Sequence, residues 1–219
     1  MLNRVEVAIR PDLEDPIGKS LCAQIKDDLS IPCKSVRVVD VYTILAELTP
    51  EELTKVANEL FTDSVIQISS INQHIYFSPD YQFVAEVGFR PGVTDNVGKS
   101  AREGIQDTLS RDLKSGEFVF KSTMYWFSGL SKEECSRIAK ELLANELIQL
   151  GVVFSIEELK SKDNISLLPI PLVTGKTEAV VETISLNLSD KELTELSQKR
   201  LLALDLKEMK AIKEYYESP

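Results

Sequence analysis

The stretch VEVAIRPDLEDPIGKS at residues 5–20 returns at residues 85–100 as AEVGFRPGVTDNVGKS, with the same offset of 80 at every position. A second pair, LTPEELTKVANELFTDSVIQ at residues 48–67 and LSKEECSRIAKELLANELIQ at residues 130–149, has an offset of 82. Chance does not preserve order and spacing over two such blocks. The chain therefore contains an internal duplication, and the second copy has gained two residues between the blocks.

Each copy begins with a predicted strand and a predicted helix. Val5, Val7 and Ile9 alternate with polar neighbours, which indicates a half-buried strand. Asp15 is placed to cap a helix that has Pro16 in its first turn, and Asp95 is the corresponding cap in the second copy. Apolar residues then recur every four positions on one helix face, namely Ile17, Leu21, Ile25 and Leu29, and in the second copy Val97, Ala101, Ile105 and Leu109.

The rest of each copy predicts two adjoining strands, a second helix and a last strand. Thr49 and Ser131 each stand three residues before a glutamate, which is the capping box that begins the second helix. The adjoining strands are expected at residues 36–40 with 41–48 and at residues 117–122 with 123–130, and the last strands at residues 65–71 and 147–154.

The predicted order β-α-β-β-α-β, present twice, is the ferredoxin-like pattern, in which helices cover one face of an antiparallel sheet. We therefore expect an α+β fold in which residues 1–78 and 79–156 are two tandem units. Because a unit of this size has a thin core, the two units should pack together as a pseudo-dimer.

After Ile156 the pattern changes. Residues 157–187 are expected to form an extended linker with one short strand at 180–186. Residues 188–219 predict two helices, at 190–203 and 206–217, which begin at capping boxes. Because two helices cannot form a core alone, they either fold back on the repeats or begin a further domain.

Composition excludes several classes of function. The chain of 219 residues carries a formal net charge of −10, whereas nucleic-acid binding needs a basic face. No apolar run has the length of a membrane span, and the first residues alternate like a strand and not like a signal peptide. We expect a soluble, cytoplasmic protein. Three widely spaced cysteines predict neither a disulfide framework nor a zinc site.

Residues 92–100, GVTDNVGKS, approach a phosphate-binding loop, which also follows a strand and opens a helix. Five residues separate the glycines where four are needed, and the first copy has Asp12 in place of the first glycine. The interpretation we favour is a tight turn with a helix cap, although such a helix N-terminus can attract an anion.

Arg10 and Arg90, each followed by proline, stand where a strand meets a helix. They could recognise a phosphate or a partner carboxylate, or they could fix the loop or pair with Asp15 and Asp95. These four residues are the candidate partner contacts. Gly88 to Arg90 with Asn96 resemble the acylphosphatase site, but Asn96 opens a helix, whereas the family's asparagine lies on a strand.

No catalytic, cofactor-binding or metal-ligating set is predicted. His74 is the single histidine, stands in a polar stretch between the copies and is expected to be solvated. A nucleophile and base pair cannot be built from it, and none of the cysteines has a histidine partner in the sequence pattern.

The run Asp15-Pro16-Ile17-Gly18 and the run LLANELI at residues 142–148 resemble the small structural subunit of phosphoribosylformylglycinamidine synthase, the PurS family. The first copy has the looser LFTDSVI at residues 60–66, and the second departs at Asn96, where the family has proline. Residues 188–216 are similar to the linker and first helices that lead into the large synthetase subunit. Residues 88–101 are similar to synthetases with tandem small-subunit copies fused ahead of the catalytic part.

The resemblance implies a role in purine biosynthesis. The complete enzyme uses ATP, magnesium and glutamine to convert formylglycinamide ribonucleotide to its amidine. A glutaminase releases ammonia, the large subunit activates the amide oxygen with ATP, and the small subunit bridges the two and helps ammonia pass. This implies a chain without cofactor or catalytic residues, whose partners are a glutaminase subunit and a large synthetase subunit or domain, fused downstream of Pro219 or separate.

Two other functions remain open at this point. Paired βαββαβ domains also serve as regulatory sensors that bind amino acids between them. The same strand order serves RNA recognition, which needs exposed aromatic side chains on the central strands and a basic surround. The acidic net charge disfavours the RNA hypothesis.

Overall fold

The computed structural model describes residues 1–161, 166–173 and 182–217. The chain divides into two compact units, Met1–Val173 and Thr174–Pro219. The first unit contains a six-stranded sheet and helices, so the predicted α+β class is confirmed.

Every neighbouring pair of strands in the sheet is antiparallel, in the order β3-β1-β2-β5-β4-β6. The strands are β1 (Leu2–Ile9), β2 (Ser35–Leu45), β3 (Gln67–Ile71), β4 (Tyr81–Phe89), β5 (Phe118–Ser128) and β6 (Gln149–Ser155).

The helices of this unit follow the repeat. They are α1 (Pro16–Leu29), α2 (Pro50–Val56), α3 (Asn96–Leu109), α4 (Lys132–Ile138) and α5 (Ile156–Ser161). Helices α2 and α4 each continue into a π-helical turn, at Ala57–Phe61 and Ala139–Leu143. The capping boxes predicted at Thr49 and Ser131 are confirmed.

Each half contributes three strands to the sheet, and not the four of the βαββαβ pattern. Residues 36–40 and 41–48 were expected as two strands, but they form the single strand β2, and β5 likewise replaces two expected strands. The physical reason is that β2 contains neither glycine nor proline, and its pairing with β1 and β5 continues through Asp40 and Val41, so the alternation of faces is unbroken.

The halves join through the β2–β5 pair, and they have the same internal register. Val5 is paired with Tyr42 in the first half, and Ala85 is paired with Tyr125 in the second. Helix α3 begins 80 residues after α1, but β5 begins 83 residues after β2. The connection between α3 and β5 is therefore three residues longer than that between α1 and β2, and the connection between β5 and α4 is one residue shorter than its counterpart, which leaves the net gain of two.

Two hydrophobic cores lie on the helical face, and each takes helices from both halves. One contains Val56 of α2 with Ile105 of α3. The other contains Ile25 of α1 with Ile138 of α4. Because each core uses both copies of the repeat, the two halves are interlocked.

The opposite face of the sheet is covered by chain segments instead of by long helices. Ile75, Leu159 and Leu167 are buried there against Trp126. Residues 157–161 of the expected extended linker thus belong to α5, which a capping box begins. Ser155 N–H donates to Glu158 Oε2 at 2.7 Å, and Glu158 N–H donates to Ser155 Oγ at 3.1 Å.

The second unit has two helices, α6 (Asp190–Lys199) and α7 (Leu206–Glu217). Capping boxes at Ser189 and Asp205 begin them, as predicted. Helix α6 ends before the expected residue 203, since Leu201 and Ala203 have left-handed backbones with φ of 52° and 55°. Of the strand expected at 180–186, residues 182–186 are not in a strand, and residues 180 and 181 lie outside the described part.

Candidate partner-contact surface

Asp15 joins the start of α1 to the central strand β2. Its Oδ1 accepts from Gly18 N–H at 2.9 Å, which caps the helix, and its Oδ2 accepts from Val38 N–H at 2.7 Å. Val38 lies past the end of the β1–β2 pairing, which stops at Val39, so the carboxylate replaces a strand as hydrogen-bond acceptor. The side chain is buried and fully engaged within the chain.

Asp95 repeats this arrangement in the second half. Its Oδ1 accepts from Gly98 N–H at 2.7 Å, and its Oδ2 accepts from Lys121 N–H at 2.6 Å. The prediction that both aspartates cap helices is confirmed. Their second bond, to a strand more than 20 residues away, was not predicted.

The glycines of the two DPIG and DNVG runs allow the helix to approach the strand closely. A Cβ at Gly18 would lie 2.0 Å from the Val36 carbonyl oxygen, and one at Gly98 would lie 2.4 Å from that of Val119. Only glycine fits at such a separation. The run at residues 92–100 is thus a turn and cap, as we favoured: Gly92 has φ of 85°, and Asp95 takes up the Gly98 amide.

Arg10 fixes the loop in which it stands. Its guanidinium donates to both carboxylate oxygens of Asp12, at 3.1 and 2.9 Å, and its main-chain N–H donates to the Ile66 carbonyl at 2.9 Å. The partner is thus Asp12, and not the Asp15 that the sequence suggested.

Arg90 is placed in the same way in the second half. Its Nε donates to the Glu146 carbonyl at 2.9 Å, and its main-chain N–H donates to the Ile148 carbonyl at 2.9 Å. The loop-fixing interpretation therefore describes both arginines, and neither pairs with Asp95 or Asp15 among the contacts of the described residues.

Exposed apolar side chains flank each arginine, two in the turn to which the arginine donates and one in the first turn of the helix that follows it. We define the Arg10 patch as Arg10, Ile17, Val65 and Ile66, and the Arg90 patch as Arg90, Val97, Leu147 and Ile148. All six apolar members are exposed, from 40 % for Ile148 to 87 % for Leu147. Large side chains left exposed at equivalent positions twice in one chain indicate interaction sites more than isolated surface residues do.

A cavity of about 220 Å³ adjoins the Arg90 patch. Arg90, Lys140, Glu146 and Gly151 are among the residues that line it, where β6 meets the π-helical turn. Lys140 Nζ lies 3.7 Å from Glu146 Oε1, and both side chains are largely exposed. The cavity is therefore lined by two cations and by one carboxylate that already pairs with one of them.

A buried charged network that the sequence analysis did not predict lies on the face opposite the long helices. Arg4 Nε lies 2.7 Å from Glu6 Oε1, and its terminal nitrogens donate to the Glu86 carboxylate at 3.2 and 3.0 Å. His74 Nδ1 lies 2.7 Å from Glu6 Oε1. The prediction of a solvated His74 is wrong, since its side chain is only 9 % exposed.

Burial and pairing act in opposite directions on these charges. Burial disfavours the ionised Glu6 carboxylate, but His74, Arg4 and the Ile75 amide together hold its pKa below the ordinary value. Burial also disfavours the Arg4 guanidinium, yet Glu86 and Glu6 raise its pKa. The one available signal was that Glu6 and Glu86 occupy equivalent positions of the repeat.

No family model matches the chain, and no similar protein was found among the curated ones. Within residues 1–161, 166–173 and 182–217, no group of three or more His, Cys, Asp or Glu side chains is placed to hold a metal ion. In the same ranges no helix has the length and apolar character that crossing a membrane requires.

Proposed function

We propose that this chain is a non-catalytic assembly module of phosphoribosylformylglycinamidine synthase, a cytoplasmic ligase of purine biosynthesis. The observation that carries the proposal is the repetition of the Arg10 patch as the Arg90 patch on one interlocked sheet. Two equivalent surfaces on one scaffold allow two partners to be held at a fixed separation, which is what a bridging module requires.

The patches have the chemistry of a contact surface. Each combines exposed apolar side chains with an arginine whose position is fixed by hydrogen bonds to a neighbouring turn. Arginine and large apolar side chains are enriched where protein interfaces carry their binding energy. An arginine that is already oriented loses less conformational entropy on binding than a free one.

The motif resemblance supplies the identity of the partners. In this proposal the two tandem units act together as a pseudo-dimer of the small-subunit type. Strands and helices of the first unit have counterparts at equivalent positions of the second. One partner is a glutaminase subunit, and the other is the large synthetase subunit or domain, where ATP and Mg²⁺ bind. The module would hold the two close enough for ammonia to pass between them.

The experiment combines the chain with a glutaminase and a synthetase of this enzyme and measures amidation of formylglycinamide ribonucleotide. Val97→Asp and Leu147→Asp place charges in the Arg90 patch, and Arg90→Glu reverses its cation. We expect each to lower glutamine-dependent turnover and capture of the glutaminase. Turnover supported by ammonium chloride should stay unchanged, because it does not need the bridge.

Arg137→Glu is the matched control, since Arg137 is a half-exposed arginine of α4 that pairs only with Glu141 on its own helix among the described contacts. It should behave like the unaltered chain. If all three patch variants retained full glutamine-dependent turnover and partner capture, the proposal would be refuted. The same pair of assays on Ile17→Asp and Val65→Asp tests the Arg10 patch.

A further inference from the structure

A second cavity, of about 400 Å³, lies on the face of the sheet opposite the long helices. Residues 76–79, the start of β4 and helix α5 enclose it. Its volume falls within the range of about 300 to 1,000 Å³ that is typical of small-molecule sites. Four aromatic side chains line it, namely Tyr76, Phe77, Tyr81 and Trp126.

The aromatic walls hold one another in place. The ring of Trp126 meets Tyr76 and Phe77 edge-on, with centroids 5.7 and 5.5 Å away. The segment that carries these two rings is fastened at its base, since Ile75 N–H donates to Glu6 Oε2 at 2.8 Å. The cavity is therefore formed without a ligand, which lowers the entropy that binding would cost.

One cationic side chain, Lys160, lines this cavity. Lys160 Nζ lies 5.6 Å from the Tyr76 ring centroid and has no ion pair among the described residues. The indole Nε1 of Trp126 is buried and has no hydrogen-bond partner in the same part of the chain. Trp126 as a whole is only 1 % exposed, so it gives the cavity an apolar wall and no accessible hydrogen-bond donor.

We propose that this cavity binds a small planar aromatic acid with a single negative charge. The ring packs against the aromatic walls, and the anion meets Lys160. Glu157 also lines the cavity, on the same helix as Lys160, and disfavours a ligand with a second negative charge.

Trp126 is the single tryptophan of the chain, so its indole N–H gives one isolated resonance in a ¹H–¹⁵N spectrum. Titration of residues 1–219 with 2-naphthoate should shift this resonance saturably. The uncharged 2-naphthamide should bind roughly tenfold more weakly, because it lacks the charge that Lys160 attracts. Lys160→Gln should weaken 2-naphthoate by a similar factor and leave 2-naphthamide unchanged.

Lys26→Gln is the matched control, at an exposed lysine of α1 that lines neither cavity, and it should bind like the unaltered chain. The absence of a saturable shift at about 5 mM 2-naphthoate would exclude the site, since an affinity weaker than millimolar is not specific recognition. Equal binding of 2-naphthoate by Lys160→Gln and Lys26→Gln would overturn the role of Lys160 in attracting the anion.

Discussion

Asp40 of β2 is paired with Thr123 of β5, and these two residues are also counterparts in the repeat, because β5 begins 83 residues after β2. A residue can face its own counterpart only where a twofold axis passes between them. The pseudo-twofold axis of the first unit therefore runs through this pair. Lys121 bridges it, with Nζ 2.8 Å from Asp40 Oδ1 and 3.0 Å from Thr123 Oγ1.

The interlocked cores predict that one half does not fold alone as a monomer. A fragment of residues 1–78 keeps α1 and α2 but loses α4 and α3, against which they pack. We expect its monomeric form to show no cooperative thermal transition by circular dichroism, whereas residues 1–219 show one. Light scattering identifies the monomer, and a monomeric fragment that melts cooperatively would contradict the prediction.

Asp15→Ala should destabilise the chain by about 2 to 3 kcal/mol. The change removes a helix cap and also leaves the partly buried Val38 N–H without its acceptor. Urea denaturation measures the free energy of unfolding. Asp12→Ala, at an exposed aspartate of the same loop, should change the free energy of unfolding by roughly 0.5 kcal/mol or less. Equal effects at both positions would refute the stabilising role of the two Asp15 hydrogen bonds.

Gly18→Ala should destabilise by roughly 3 kcal/mol or more, because the new Cβ would overlap a backbone oxygen that cannot move freely. The control is Gly104→Ala in α3, where the Cβ would meet only the end of the Leu60 side chain. That side chain can shift and alanine favours helix, so the control should be nearly neutral. If the denaturation midpoint fell equally in both variants, the close approach of α1 to β2 would not be the cause of the lost stability.

The buried network should make stability depend on pH in the acid range. The pKa of Glu6 is lower in the folded chain than in the unfolded chain, where the ordinary value is about 4.3. Its contribution is therefore fully present above that value and is lost as the pH falls through the folded pKa. We expect the free energy of unfolding to fall correspondingly below pH 4.

Glu6→Gln should cost roughly 3 kcal/mol at pH 7, because it removes one partner of the buried Arg4, and should make the acid dependence shallower. Glu103→Gln, at an exposed glutamate of α3, is the control and should keep the full dependence. An acid profile of Glu6→Gln that parallels the unaltered chain would argue against this assignment.

Cys33 and Cys135 should resist alkylation in the folded chain. Burial raises the pKa of the Cys135 thiol to about 12, and burial with the neighbouring Cys22 thiol raises the pKa of Cys33. Since the thiolate is the reactive form, iodoacetamide at pH 8 should modify both at least about a hundredfold more slowly than in urea. Mass spectrometry of the digested chain reports each site, and similar rates in both states would contradict this.

The sequence by itself determined the features that depend on neighbours a few positions apart. Caps at Asp15, Thr49 and Ser189 and the apolar stripes are set by spacings of three or four residues. Because the two copies of the repeat have the same pattern, the sequence predicted equivalent elements in both halves. The repeat also marked Arg10 and Arg90 as candidate contact residues. These signals predicted the α+β class and the two arginine loops.

Only the tertiary structure decided which elements share a core and which charges are buried. Alternation in β1 predicts one buried face, but it cannot tell that residues 72–80 and 166–173 cover the other face, where Arg4 reaches Glu86, 82 residues away. The exchange of helices between halves, the full length of β2 and the aromatic cavity at Trp126 likewise depend on contacts between distant segments. Such contacts leave no periodic trace, because periodicity reports how exposed a residue is and not what covers it.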